Sequence, residues 1–384
     1  MSGGIAQLVA IGAQDAHIVG KPEVSFFRST YKRHTNFSQT VEKQVIQGNP
    51  VANGMSTVRF ERKGDLLGYV YLSPRSGTAS YSPAEWVSRI AKVEWLVGGQ
   101  VIDTQESHFS QYIAPTVFAQ NTSKSKSGHG EAAKSRFYPL RFSFCESVQS
   151  ALPLVSLQFH DVELRITWGA DLTGSWECYA NFIYLDTDER AALANTPQNM
   201  LITQTQKSIA SSSTVQEINM NHPVKYLASY HPALLSIAND NSKVKLQING
   251  TDVTDFKYTD PHYTAISEYY HTPSSKPLQV VTTTTTSSAA PTISALGDVQ
   301  TAINGLTYTS TTTVAADGNS KKLFIYPFCL ETGKLQPTGS LNFSRLDSAR
   351  LLTEGGAGFD ADIYGVNLNI LRIENGMGGL MYSN

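Results

Sequence analysis

The chain carries little charge. Asp, Glu, Lys and Arg make up 16% of its 384 residues, and the formal net charge is −2. Solvated monomers usually carry about a quarter charged residues, so this sparse complement fits a surface that other subunits cover. The near-neutral balance argues against a dedicated nucleic-acid binder, which would present a basic field. Cysteine is scarce as well. Cys145, Cys178 and Cys329 are odd in number and far apart, and no CxxC spacing occurs. That spacing excludes the usual zinc motifs and leaves thiols in a reducing compartment as the plain reading. No stretch approaches the roughly 18 apolar residues of a membrane helix. Met1 to Ile5 lack the basic n-region of a signal peptide, and Ile5 to Ala13 is interrupted by Gln7 and Gly12. A cytosolic product with neither export signal nor anchor is expected. GxGxxG after a strand, a Walker Lys-Ser/Thr, GxSxG and HExxH are also missing. Gly355-Gly356-x-Gly358 and Gly376-Met377-Gly378-Gly379 are glycine-dense and read as turns.

What the chain does have is a repeat. Phe144-Cys145 followed by Pro153-x-x-Ser156-Leu157-x-Phe159 returns as Phe328-Cys329 followed by Pro337-x-x-Ser340-Leu341-x-Phe343. Upstream, Val93-x-Trp95-x-Val97-x-Gly99 is echoed by Val244-x-Leu246-x-Ile248-x-Gly250. The later pair is displaced by 184 residues and the earlier by 151, so the second copy holds an insertion of 33 between its hairpin and its Phe-Cys strand. Solenoid units run about 20–50 residues, so a repeat this long is a duplicated domain.

Period-two alternation dominates both copies. Val58 and Phe60; Val93, Trp95 and Val97; Val155, Leu157 and Phe159; and Val162, Leu164, Ile166 and Trp168 all alternate with polar residues. So do Val244, Leu246 and Ile248; Leu341 and Phe343; and Val366, Leu368 and Ile370. Such strands bury one face, as in antiparallel sandwiches. Gly98-Gly99 and Asn249-Gly250 suit tight hairpins, and His160-Asp161 reads as a turn or bulge where parity switches. Helices are expected at Ala84–Ile90 behind Ser82-Pro83, at His108–Ala119, and after Asp186, where Glu189 would complete a capping box. The polar stretch after Pro197 marks the seam between copies. The Thr- and Ser-rich runs 282–288 and 309–313 fall in the insertion and read as surface loop or a small excursion of strands.

Few residues suggest chemistry. His160-Asp161-x-Glu163 groups metal-capable side chains, but neighbours on a strand point to opposite faces, so a solvated strand edge is the better reading. His262, Glu268 and His271 lie in a Tyr-rich stretch (Tyr258, Tyr263, Tyr269, Tyr270) that reads as an interface, since Tyr is enriched in contacts. Arg28, Lys32, Arg33 and His34 sit among Phe26, Phe27, Tyr31 and Phe37. An arm docking on a neighbouring subunit or an internal surface fits this better than single-stranded nucleic acid. The candidate contact residues are therefore Arg28, Tyr31, Lys32, Arg33 and His34. No catalytic residue, metal site or cofactor is expected. The sequons at Asn36, Asn121, Asn249 and Asn342 read as chance.

Several ordered stretches together resemble the major capsid proteins of the nucleocytoplasmic large DNA viruses, especially those of algae. They begin with Gln7-Leu8-Val9-Ala10, Gly12-Ala13-Gln14-Asp15, and Phe26-Phe27-x-x-x-Tyr31-x-Arg33-His34-Thr35-Asn36-Phe37. They continue through Ala151-Leu152-Pro153-Leu154, Leu185-Asp186-Thr187-x-Glu189-Arg190 and Asn221-His222-Pro223-x-Lys225-Tyr226-Leu227. They end with Asn342-Phe343-Ser344-Arg345-Leu346-Asp347, Asn367-x-Asn369-x-Leu371-Arg372-Ile373 and Gly376-Met377-Gly378-Gly379-Leu380. The resemblance implies an all-β chain of two consecutive eight-stranded antiparallel jelly rolls with short helices and an N-terminal arm. The expected division is an arm over 1–36, a first jelly roll over 37–190, helix end and linker over 191–215, and a second jelly roll over 216–384 with a loop insertion at about 257–322. It further implies a structural, non-enzymatic virion protein. Three chains would form a pseudo-hexagonal capsomer that tiles an icosahedral capsid, made and assembled in the host cytoplasm. Its partners would be itself, neighbouring capsomers and minor capsid proteins, with proximity to an internal membrane and no specific nucleic-acid binding. The alternatives are a minor capsid or vertex protein and a carbohydrate-binding β-sandwich.

Overall fold

The computed structural model describes residues 12–75, 79–118, 124, 134–230, 242–273, 280–282, 312–314, 323–355, 359 and 361–383. The chain divides into two units, Met1–Asn36 and Phe37–Asn384. Among the described residues of the first, a single short helix, Ala16–Val19, has no buried residue.

The second unit holds two sandwiches. The first is built from β1 (Phe37–Gln44), β2 (Met55–Arg59), β3 (Leu66–Pro74), β4 (Ile90–Val97), β5 (Gln100–Glu106), β6 (Tyr138–Pro139), β7 (Val162–Trp168) and β8 (Trp176–Leu185). The second is built from β9 (Gln198–Ser208), β10 (Val215–Glu217), β11 (Pro223–Tyr230), β12 (Lys243–Ile248), β13 (Thr251–Asp252), β14 (Leu323–Pro327), β15 (Ala349–Glu354) and β16 (Ile363–Glu374). Sheet order in the first is β1-β8-β3-β6 and β2-β7-β4-β5; in the second it is β9-β16-β11-β14 and β10-β15-β12-β13. Each of these eight strands thus has its counterpart eight strands later, and the two copies share the jelly-roll order. Shorter strands add to the sheets: Ile46–Gln47 on β2, Leu152–Pro153 on β3, Leu341–Asn342 on β11, Lys257–Tyr258 on β12 and Met377–Leu380 on β16.

The duplication reaches irregular features. The β3–β8 register shifts between Ala180 and Phe182, and the corresponding β11–β16 register shifts between Val224 and Tyr226. Both copies place a five-residue π-helical turn after the hairpin, Phe109–Ile113 continued by Ala114–Val117, and His262–Ile266 continued by Ser267–His271. Both hairpin turns need positive φ, at Gly98 (57°) and Gly99 (83°), and at Asn249 (50°) and Gly250 (77°).

Alternation translates into burial most cleanly in β7, where Val162, Leu164, Ile166 and Trp168 point into the first core and the residues between them are half-buried. Val244 and Leu246 do the same for the second core. The helix behind Ser82 runs Pro83–Arg89 and carries a full capping box, with the Ser82 amide donating to Glu85 Oε2 at 2.8 Å. The helix after Asp186 is present at Thr187–Asn195, but its cap is simpler. Asp186 accepts only from the Thr187 amide, and the following Arg190 reaches back to Asp65 at 2.8 Å instead.

Three expectations need correction. Val155, Leu157 and Phe159 lie in a turn, irregular backbone and a bend in that order, not on a strand, and Phe159 is 73% exposed. Phe144-Cys145 lies on the short helix Ser143–Glu146 and Cys329 in a bend, so neither thiol is on a strand, although both are buried. In β16 the alternation Val366, Leu368, Ile370 does not mark one core face. Leu368 and Ile370 are half-buried, whereas Leu371 and Ile373 are fully buried. Strand β9, within 191–215, pairs along its whole length with β16. Of the insertion, the described residues include one two-stranded ribbon, Val280–Thr282 with Thr312–Val314; 274–279, 283–311 and 315–322 lie outside them.

Candidate functional site

The strongest feature of the second unit is the seam between its two sandwiches. Three hydrophobic clusters fill the unit. One belongs to the first sandwich and one to the second. The third joins them: Phe109, Ile113, Ala114, Val117 and Phe118 of the first copy pack on Tyr226, Ala228, Tyr230, Leu323, Ile325, Tyr364 and Val366 of the second. The π-turn followed by a helical turn aims Phe109, Ile113 and Val117 at one surface, the outer face of β11, β14 and β16. Phe109 meets Tyr364 at 5.6 Å between ring centroids, and Tyr112 stacks on Tyr230 at 4.3 Å. A buried aromatic-rich contact of this kind makes the two sandwiches one body rather than beads on a linker.

The far end of β16 extends the seam. Leu371 and Ile373, with Ile202 of β9, belong to the core of the first sandwich, not the second. Between these regions lies a buried polar network. The Thr205 amide donates to Asp103 Oδ1 at 2.8 Å, Gln105 Nε2 donates to Asp103 Oδ2 at 2.9 Å, and Gln204 Nε2 donates to the Ile102 carbonyl. Asn369 Nδ2 donates to Gln204 Oε1 at 2.9 Å, and Gln206 Nε2 donates to Asn367 Oδ1 at 2.9 Å. Burial pushes the Asp103 carboxyl up to about 7, against the opposing pull of its three hydrogen bonds, including one from the Thr104 amide. At the rim, Glu106 accepts from Tyr364 Oη at 2.7 Å and from Lys207 Nζ at 2.6 Å.

The C-terminal hairpin closes the seam on the remaining side. Its last strand, Met377–Leu380, pairs with β16. The Phe159 amide donates to the Gly376 carbonyl at 2.9 Å, and His160 Nδ1 lies 2.9 Å from the Gly378 carbonyl oxygen. Glycine is required here for closeness. A Cβ on Gly376 would come within 2.6 Å of the Phe159 ring, and one on Gly378 within 2.6 Å of Leu157. The first glycine also turns, with φ of 79°.

The chain is similar along its length to one group of known proteins. Residues 25–186 match the family described as major capsid protein N-terminus, and residues 189–379 match the family described as large eukaryotic DNA virus major capsid protein. The major capsid protein of Pyramimonas orientalis virus is 32% identical over 420 aligned residues, covering 100% of both chains. The chain belongs to the major capsid protein family of large eukaryotic DNA viruses. Another member, from Paramecium bursaria Chlorella virus 1, is 28% identical and also covered at 100% on both sides. In fold, the chain is similar to the solved PBCV-1 VP54 structure, with a TM-score of 0.67 at 23% identity over 94% of this chain and 100% of that one. The Faustovirus major capsid protein gives a TM-score of 0.55 at 10% identity over 95% and 94%. The all-β double jelly roll implied by the sequence motifs is thereby established.

In this member of the major capsid protein family, the residues singled out from sequence are dispersed. Arg28, Tyr31, Lys32, Arg33 and His34 all lie in the unit Met1–Asn36, in irregular backbone, each exposed, with His34 Nδ1 2.7 Å from the Thr35 carbonyl. His160 and Asp161 are not a free strand edge. Asp161 pairs with Arg59 at 2.6 Å and Arg62 at 3.4 Å, while His160 faces the C-terminal hairpin. The Tyr-rich stretch divides. Tyr263 stacks on Tyr326 at 5.3 Å within the second core, whereas Tyr258, Tyr269 and Tyr270 are exposed. Two sequon asparagines have structural work for their carbonyls: Asn249 accepts the Asp347 and Ser348 amides, and Asn342 accepts the Ser344 amide. Asn121 lies outside the described residues. Of the seam residues, Asn367 and Asn369 entered the sequence reading only within the stretch Asn367-x-Asn369-x-Leu371-Arg372-Ile373 that carries the resemblance, and Phe109 and Gln204 were not singled out. Asn367 and Asn369 alternate along an expected strand, whereas Gln204 lies in the polar stretch read as the boundary between copies.

Proposed function

We propose that three copies of this chain form a pseudo-hexagonal capsomer, and that many capsomers tile an icosahedral capsid. The observation that carries this reading is the strand-for-strand duplication locked by a hydrophobic seam. Two similar wedges per chain become six in a threefold ring, which matches a lattice site with six neighbours. The chain acts by shape and surface, without catalysis and without a cofactor. Its partners are other copies of itself, neighbouring capsomers and minor capsid proteins, next to an internal membrane. It resides in the virion and is made and assembled in the host cytoplasm. The arm bearing Arg28, Lys32 and Arg33 contacts a neighbouring subunit or the shell interior. The two matched copies favour the six-neighbour position over a fivefold vertex.

Solution mass tests the reading. A stable assembly at three times the chain mass of 41.9 kDa supports it, and a monomer at every concentration overturns it. Deleting residues 1–25 should leave that trimer intact and impair shell assembly; normal shells would remove the role given to the arm.

A further inference from the structure

Resting on the trimer reading, a specific pair of surfaces can be named as the contact that closes the ring. The unit Phe37–Asn384 contains both halves of one interface twice, once joined and once apart. In the joined case Ile113 and Val117, four residues apart on the first-copy helix, are buried against the outer face of β11, β14 and β16. The second-copy helix opens with the same five-residue π-turn, at 262 where the first opens at 109. Ile266 and Tyr270 therefore hold the register of Ile113 and Val117. They are 39% and 69% exposed, beside Tyr269 at 80%. Lone exposed apolar side chains are ordinary. Two of them at positions where the duplicate helix buries its side chains are not.

Among the described residues, the matching sheet face of the first sandwich is partly exposed. Its strands β3, β6 and β8 are the counterparts of β11, β14 and β16 in sheet order. Outward from them stand Tyr69, which is exposed, and Tyr71, which stacks on Tyr179 at 5.3 Å and meets Phe137 edge-on at 5.8 Å. Tyr69, Tyr71, Phe137 and Pro139 line a groove of about 580 Å³. A chain thus keeps one exposed helix on its second sandwich and one aromatic groove on its first, the same two elements that its own seam joins.

We propose that the helix carrying Ile266 and Tyr270 docks into the Tyr69–Tyr71–Phe137 groove of a second copy of this chain, repeating between chains the contact made within each. The contact is head-to-tail, so it either closes into a ring or runs on as a filament. Three chains would then supply three internal and three external versions of one interface.

The test uses the full chain. Ile266→Asp combined with Tyr270→Asp, and separately Tyr69→Arg, should each reduce the assembly to the 41.9 kDa chain in sedimentation, while the far-ultraviolet circular dichroism of the folded chain is kept because the replaced side chains are exposed. In a second arm, Tyr69→Cys and Tyr270→Cys in one chain, treated with a short bismaleimide, should give covalent dimers and trimers. The parent should give none, because its three thiols are buried. The cross-link needs no disruptive change, so it decides the matter even if a charged variant folds poorly. A parent trimer that persists in both variants, with no cross-link above the parent's, overturns this docking while leaving the trimer standing. A parent that is monomeric throughout overturns both.

Discussion

The carboxylate of Asp103 accepts the backbone amide of Thr205 at 2.8 Å, so a buried acid on a strand of the first sandwich holds the first strand of the second. Burial raises this carboxyl from 3.8 to about 7. Between those two values the folded chain holds a proton that the unfolded chain has released. Stability on this account falls as pH rises from about 4 to 7, and remains lower above that.

Asp103→Asn keeps an acceptor for Thr205 and removes the buried charge, but turns an amide toward the donor Gln105 Nε2 and loses that bond. The gap between variant and parent should therefore shift in the variant's favour from pH 5 to pH 8. Each tenfold change in the acid's ionisation constant corresponds to about 1.4 kcal/mol, which places that shift on the order of a few kcal/mol at most. Denaturation curves at the two pH values check this. A gap of equal size at both would show that ionisation is not its cause.

The seam also shows where sequence reading succeeds. Local patterns were legible because local physics decides them. Val93, Trp95 and Val97 before Gly98-Gly99 specify a strand and a tight turn with no help from distant residues, and β7 buries each of its alternating apolar side chains. Ser82-Pro83 starts a helix for the same reason. The misread segments are those whose partner is remote. Leu157 and Phe159 alternate like a strand, yet His160 meets Gly378 across 218 positions and the chain turns there instead. Leu371 and Ile373 stand on β16, a strand of the second sandwich, and fill the core of the first. No window of sequence shows which of two cores a side chain enters.

Phe109 is fully buried in the cluster that joins the sandwiches. Phe109→Ala should cost about 3–5 kcal/mol, the usual range for removing a buried Phe. Because the loss falls between two separately cored sandwiches, unfolding should broaden or split into two steps. Calorimetry distinguishes this from a uniform loss, in which one sharp transition would simply move down.

The three thiols should be silent in the native protein. Cys145, Cys178 and Cys329 are buried, and desolvation holds the Cys178 thiol up at about 12, far from thiolate at neutral pH. A thiol reagent should therefore label none of them within the time that it labels free cysteine, and all three after denaturation. Fast labelling of one residue under native conditions would locate a local opening at that site.

Gly378 and Gly379 are adjacent on the last strand but should differ sharply when substituted. A Cβ on Gly378 would lie 2.6 Å from Leu157 Cδ2 and 3.2 Å from Val97 Cγ1, both side chains of the first core. On Gly379 it would meet only the flexible end of Gln100, at 3.4 Å. Gly378→Val should therefore cost about 1–3 kcal/mol by overpacking, and should free the C-terminal strand from the Phe159–His160 turn. Gly379→Ala should stay within about 0.5 kcal/mol of the parent. Limited proteolysis reports the strand directly: the Gly378 variant should lose its C-terminal segment faster than the parent, and the Gly379 variant should not. Equal rates for the two variants would mean that the strand is held by its pairing with β16 rather than by its fit against Leu157.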